Sequence, residues 1–348
     1  MKTKSFTLAI LFCTSILPAL ADNSASDTGC AELAKEVANK GWIVYCARTE
    51  GNGAYDLFIC RPDGTHVKNI TNTLDFEEAI PRFSLDGKKL LYRRMNKGTV
   101  VDHGKYGFQG QLILADSNGS NPIAIAEEGQ YNWAVWSPDT KQIASLTNKE
   151  LQIVDLSEKK IVRSFPRQGT YWLGSWSPDG NWLCGVGNPS TQGMWTIVRI
   201  DVNTGNINSV REFQNCTPDW FPDSKHIIFS SRPANQPGNG GHGWTQLWMA
   251  EGEGTNQKMI FGEDGVHIYG GALSPDGKYV LFTKCPRDGG DSEGAGAPVF
   301  LMRLEDAPTI KGESIDLRKV HPEAKDCPVL DLGIKGWEPE WTYAEIIK

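Results

Sequence analysis

The chain lacks a long apolar run, a C-x-x-C pair and an excess of positive charge, and each absence narrows what it can do. No segment reaches the roughly 20 consecutive apolar residues that a membrane-spanning helix needs. None of the eight cysteines stands in a C-x-x-C spacing, so a zinc site of that kind has no support. Lysine and arginine number 35 against 42 acids, a formal net charge of −7. A chain of that sign repels phosphate backbones, so no nucleic-acid partner is expected.

What is present begins with an export signal. Lys2 and Lys4 precede an apolar stretch from Phe6 to Leu17, and Ala19-Leu20-Ala21 follows as a small-x-small cleavage site. Residues 1–21 are therefore expected to be a signal peptide, and the protein periplasmic or secreted. Cleavage after Ala21 leaves 327 residues and takes the net charge from −7 to −9, because only Lys2 and Lys4 are lost. Export permits disulfides, yet removal of Cys13 leaves seven cysteines, so at least one thiol per monomer stays unpaired unless chains are cross-linked. Cys46 and Cys60, on two strands of one expected hairpin, are the first pair to test. The alternative is that both are small buried apolar residues.

Internal repeats decide the fold. FSLDG begins at Phe83, WSPDT at Trp136, WSPDG at Trp176, WFPDS at Trp220 and LSPDG at Leu273, at spacings of 53, 40, 44 and 53 residues. A sixth anchor, Trp341 in EPEWT, follows 68 residues later. Proline presets φ for a turn, aspartate bonds to amides two residues on, and glycine accepts positive φ. A short apolar run follows each complete motif, such as KKLLY or KYVLFT, and further runs such as QLILAD and TIVRID lie between. The stretch from Ala134 to Phe165 reads as four strands, at 134–137, 142–147, 151–156 and 161–165, within a spacing near 40 residues, which is the size of a propeller blade. Only seven residues follow Trp341, enough for one inner strand, while WIVYCA, YDLFIC and HVKNIT precede the first anchor. The expectation is an all-β, six-bladed propeller over residues 42–348, with four-stranded antiparallel blades. It is closed by one C-terminal strand joining three N-terminal strands. Residues 22–41 are an N-terminal segment.

The W-S-P-D-G-K turn followed by a β run resembles the TolB-type, WD40-like (PD40) propeller family, over about residues 42 to 343. That resemblance implies a propeller. Its members include periplasmic TolB, the propeller caps of prolyl-oligopeptidase-like peptidases, and propeller lyases acting on pectin fragments. TolB carries an additional N-terminal α/β domain, for which the roughly 20 residues between signal and first strand leave no room. Peptidase action is not expected, because the repeats leave no space for a doubly wound hydrolase sheet.

Two functional classes follow. One is a noncatalytic, monomeric propeller that binds a protein, peptide or saccharide without a cofactor. The other is a carbohydrate-active enzyme, an oligogalacturonate or polysaccharide lyase, with a divalent metal held by histidines. For the second, His103, His242 and His267 are expected in loops on one face, although the closely spaced glutamine-histidine-histidine run of those lyases is absent. The repeated aspartates Asp86, Asp139, Asp179, Asp223 and Asp276 are expected to serve their turns. Glu77 and Glu78 read as solvated loop acids without a role. Three long loops, Arg94 to Gly110, Arg232 to Gly243 and Pro286 to Pro298, are expected on the face of the blade-linking segments, where loops commonly carry function. Aromatics in those segments include Trp133, Trp172, Tyr269 and Trp337. Their apolar faces suit amphipathic ligands, though such rings also pack between blades.

Overall fold

The turn chemistry is satisfied within each repeat. In the computed structural model, which describes residues 24–50, 53–98, 110–126, 133–147, 149–188, 195–212, 214–232, 245–263, 266–286, 296–307 and 327–346, four turns share one network. Ser84, Ser137, Ser177 and Ser274 each donate to the aspartate two residues on, at 2.6 to 2.8 Å. Each of those carboxylates accepts the backbone N–H two residues further. Each serine oxygen then accepts the N–H that opens the following strand. In the turn after Trp220, Phe221 replaces the serine, and Asp223 accepts from the N–H groups of Lys225 and His226. The fifth turn residue is left-handed in all five, whether glycine (Gly87, Gly180, Gly277) or not (Thr140, φ 60; Ser224, φ 57).

These turns join strands into antiparallel sheets. Helix α1 (Ser24–Val37) precedes β1 (Trp42–Arg48), β2 (Tyr55–Cys60) and β3 (Lys68–Asn69). Then come β4 (Phe76–Phe83), β5 (Lys89–Asn96), β6 (Gln111–Asp116) and β7 (Ile123–Ala124). The next group is β8 (Trp133–Trp136), β9 (Gln142–Leu146), β10 (Glu150–Asp155) and β11 (Lys160–Pro166). It is followed by β12 (Thr170–Trp176), β13 (Trp182–Gly187), β14 (Thr196–Asp201) and β15 (Ile207–Arg211). After these lie β16 (Asn215–Trp220), β17 (His226–Ser231), β18 (Gln246–Glu251) and β19 (Lys258–Phe261). The last strands are β20 (Val266–Leu273), β21 (Tyr279–Pro286), β22 (Ala297–Arg303) and β23 (Val329–Thr342). The four groups from β4 to β19 are separate four-stranded blades. Their middle strands are buried, while an outermost strand such as β11 is exposed along most of its length.

The remaining seven strands, expected as two blades, form one hydrogen-bonded sheet in the order β20-β21-β22-β23-β1-β2-β3. The physical reason is the 14-residue β23, which runs unbroken through both halves. Its first part pairs with β22 (Met302 opposite Val329, Ala297 opposite Gly336). Its second part pairs with β1 (Cys46 opposite Trp337, Trp42 opposite Thr342). The C-terminal strand thus joins three N-terminal strands, and the ends of the chain are locked together.

Helix α1 packs over that junction, a role the sequence did not announce. Leu33 and Val37 are buried in one cluster with Ile43, Tyr45, Leu281 and Leu301. Glu36 accepts hydrogen bonds from the Tyr279 hydroxyl and the Arg303 guanidinium. The Trp341 indole donates to Lys40 O at 2.7 Å. The Cys46–Cys60 pairing does not occur: in the β1–β2 register Cys46 faces Leu57 and Cys60 faces Ile43, so the two thiols lie three positions apart. They belong to different buried clusters, and all seven described cysteines are free. Burial pushes the Cys60 and Cys184 thiols up to about 12, where they are inert near neutral pH.

Candidate functional site

The innermost strands β4, β8, β12, β16, β20 and the second half of β23 end at the six anchors. The residue just before each anchor is, in turn, Arg82, Val135, Ser175, Asp219, Ala272 and Glu340. Where that residue can accept, it latches onto the next innermost strand. Ser175 Oγ accepts the Trp220 N–H at 2.9 Å, Asp219 Oδ2 the Leu273 N–H at 2.9 Å, and Glu340 Oε2 the Phe83 N–H at 3.1 Å. Arg82 contributes its carbonyl oxygen, which accepts the Trp136 indole N–H at 3.0 Å. Its guanidinium turns to Glu338, with Nη2 to Oε2 at 2.8 Å, and lies 4.0 Å from Glu340.

Three residues before the anchor, four of these strands carry a left-handed residue: Ile80 (φ 59), Thr217 (φ 50), Gly270 (φ 97) and Glu338 (φ 50). The ladder register shifts at Ala79/Arg82, Cys216/Asp219 and Tyr269/Ala272, so these are β-bulges. A β-branched residue at positive φ is a genuine outlier, and such strain gathers where a side chain must be re-aimed. In β12 the register shift between Leu173 and Trp176 has Gly174 instead, whose added Cβ would lie 1.8 Å from Pro218 O. Only glycine permits that approach of β12 to β16.

Beside the bulges lies a pocket of about 70 Å³, whose walls include Arg82, Trp172, Asp219, Tyr269, Trp337 and Glu338. Three of the four expected aromatics therefore share one site. They reach it from innermost strands rather than from the segments that link blades. Trp337 is only 2 % exposed and Trp172 is buried, whereas Tyr269 is half-buried. Trp133 is outside the pocket wall; it is buried and packs edge-on against Trp172, with ring centroids 5.4 Å apart. Further along the same strands, toward the turns, opens a funnel of about 270 Å³ ringed by turn residues such as Leu85, Pro138, Pro178, Pro222 and Pro275. Arg82, Gly174, Ser175, Asp219 and Glu340 line both spaces and form a polar belt between them.

The belt is electrostatically costly. Burial raises Glu340 to about 8, opposed by the Arg82 charge and reinforced by Asp219, and burial also raises Asp219. Desolvation brings buried Arg93 on β5 down to about 10, opposed by Cys46 and Glu338. The residue before the anchor was the signal for this belt: a charge in an otherwise apolar innermost strand.

Glu77 and Glu78 are not solvated loop acids. Both are buried on β4. Glu77 accepts the N–H groups of Tyr55 and Gly98. Glu78 accepts from Arg94 and Thr73, and burial raises it to about 7.

The histidines do not converge among the described residues. His267 is on strand β20, not in a loop; it is 2 % exposed, with Nδ1 2.9 Å from the Thr245 hydroxyl. His103 and His242 lie outside the described residues, as does most of each long loop. Among the described residues no three His, Cys, Asp or Glu side chains gather to hold a metal ion. The string Gly290 to Gly294 has the G-x-S-x-G spacing of a nucleophile elbow, and it lies outside the described residues. None of the described helices is long and apolar enough to cross a membrane.

No known family model matches the sequence, and no curated protein matches it. Solved structures do share the fold. The chain is similar to TolB from Acinetobacter baumannii (17 % identity, 93 % of this chain and 73 % of that one, TM-score 0.61). It is also similar to a putative TolB from Agrobacterium tumefaciens (19 %, 79 % and 87 %, 0.53). A chain of a nidogen/laminin complex is similar as well (11 %, 83 % and 97 %, 0.53). At these identities the likeness shows a β-propeller of four-stranded antiparallel blades, with TolB-type propellers among its structural neighbours.

Proposed function

We propose that the chain is an exported, noncatalytic, six-bladed TolB-like propeller that binds a protein, peptide or saccharide ligand in its axial pocket. Six blades follow from counting the seven-stranded sheet as two blades joined through β23. The observation that carries the reading is the convergence of Trp172, Tyr269 and Trp337 on one pocket with Arg82 and Glu338, beside bulges in the strands that present them. Aromatic walls with a few convergent polar groups are the makings of a binding site. The ligand face is expected to be the one bearing the long loops, most of whose residues lie outside the described ones.

The test is a peptide and glycan screen on the purified protein, followed by Tyr269→Ala and Trp172→Ala. Half-buried Tyr269 should lose affinity by about 1 kcal/mol or more with little change in melting temperature. Buried Trp172 should lose roughly 3 kcal/mol of stability as well. Unchanged affinity per folded molecule in both variants would overturn the reading.

A further inference from the structure

The pocket holds a cluster of acids around one arginine, and an unsatisfied atom. Asp219, Glu338 and Glu340 line it, and Arg82 is the one cation among the lining residues. The Glu338 side chain is only 5 % exposed. Its Oε2 takes the hydrogen bond from Arg82, and its Oε1, buried, has no hydrogen-bond partner among the described residues. A buried carboxylate oxygen without a donor is costly, and in native proteins such an atom calls for a partner. Glu338 is also one of the four left-handed residues, so backbone strain holds this side chain where it is.

We propose that the axial pocket recognises a primary alkylammonium group, with Glu338 Oε1 as its counter-charge. This deepens the ligand-binding reading above and rests on it. The rings of Trp172, Tyr269 and Trp337 supply faces that attract a cation and cover its methylenes. An ammonium fits better than a guanidinium. The planar fork of a guanidinium wants both carboxylate oxygens, and Arg82 already occupies one. A metal ion fits poorly, since the three carboxylates do not gather as a ligand set. Burial raises Glu340 and Asp219, and a cation bound beside them would favour their charged forms.

The probes are n-butylammonium, its neutral isostere 1-butanol and the anion butanoate, titrated into the full protein by calorimetry and indole fluorescence. The expected result is that butylammonium binds about ten- to a hundredfold more tightly than 1-butanol, with butanoate weaker still. Glu338→Gln should erase that preference. Because this variant also loosens Arg82, its melting temperature is measured alongside, and the comparison of probes on the unmutated protein stands without it. Nα-acetyl-lysine methylamide, which offers only a side-chain ammonium, and alanyl-alanine amide, which offers only an N-terminal one, separate the two peptide sources from a free amine. Equal binding of 1-butanol and butylammonium would overturn the ammonium assignment and leave the pocket as a binding site. Failure of every probe and of the wider ligand screen would overturn both.

Discussion

Glu340 gives the belt a measurable pH signature. Its carboxylate is taken from an ordinary value of 4.5 to about 8 by burial. An acid whose pKa is higher folded than unfolded binds its proton more tightly in the folded state. Its contribution is then fully present below the unfolded pKa and is lost as pH rises through the folded one. Between pH 5.5 and 8.5, linkage with these two values amounts to at most about 3 kcal/mol. The side chain is 27 % exposed, so solvent screening lowers the figure. Glu340→Gln keeps an oxygen for the Phe83 N–H and removes the titration. Thermal unfolding across this range should show the wild type losing stability as pH rises, by several degrees in melting temperature. The variant should lose less, leaving the part that Glu78, raised to about 7, contributes with the same sign. Identical slopes in the two proteins would mean that Glu340 is ionised in the belt at all these pH values, contrary to its burial-raised pKa.

Three further outcomes follow from the geometry. Thr140→Gly should stabilise by about 0.5–1 kcal/mol and Gly180→Val should destabilise by about 1 kcal/mol or more, since both occupy the left-handed turn position; chemical denaturation measures both, and equal midpoints would count against the turn. Ser175→Ala leaves the Trp220 N–H without its acceptor and should cost about 1–3 kcal/mol in the same assay; no loss would mean that the latch is not stabilising. Deleting Glu338 to Lys348 removes the strand that pairs with β1 and exposes sheet edges that should aggregate; a monomeric truncation of unchanged melting temperature would contradict closure through β23.

The propeller was legible because its signal is local. A turn of serine, proline, aspartate and a left-handed residue satisfies itself within six residues, so WSPDG reports its own structure wherever it occurs. The count of separate sheets was not legible, because nothing in EPEWT reveals that β23 began nine residues earlier as the outer partner of β22. His267, Glu77 and Glu78 were misplaced for one reason: β20 and β4 begin before the apolar part of their sequence, and a polar residue in a bulged innermost strand looks like loop. Asp219 and Glu340 could have been found as charges standing directly before an anchor. The bulges at Ile80 and Thr217 could not, since neither residue type favours positive φ.

A crystal structure of the protein with whichever ligand binds should show it between Trp172, Tyr269 and Trp337, within hydrogen-bond distance of Glu338. Density only in the turn-side funnel lined by Pro138, Pro178 and Pro275, or on the outer strands, would contradict it.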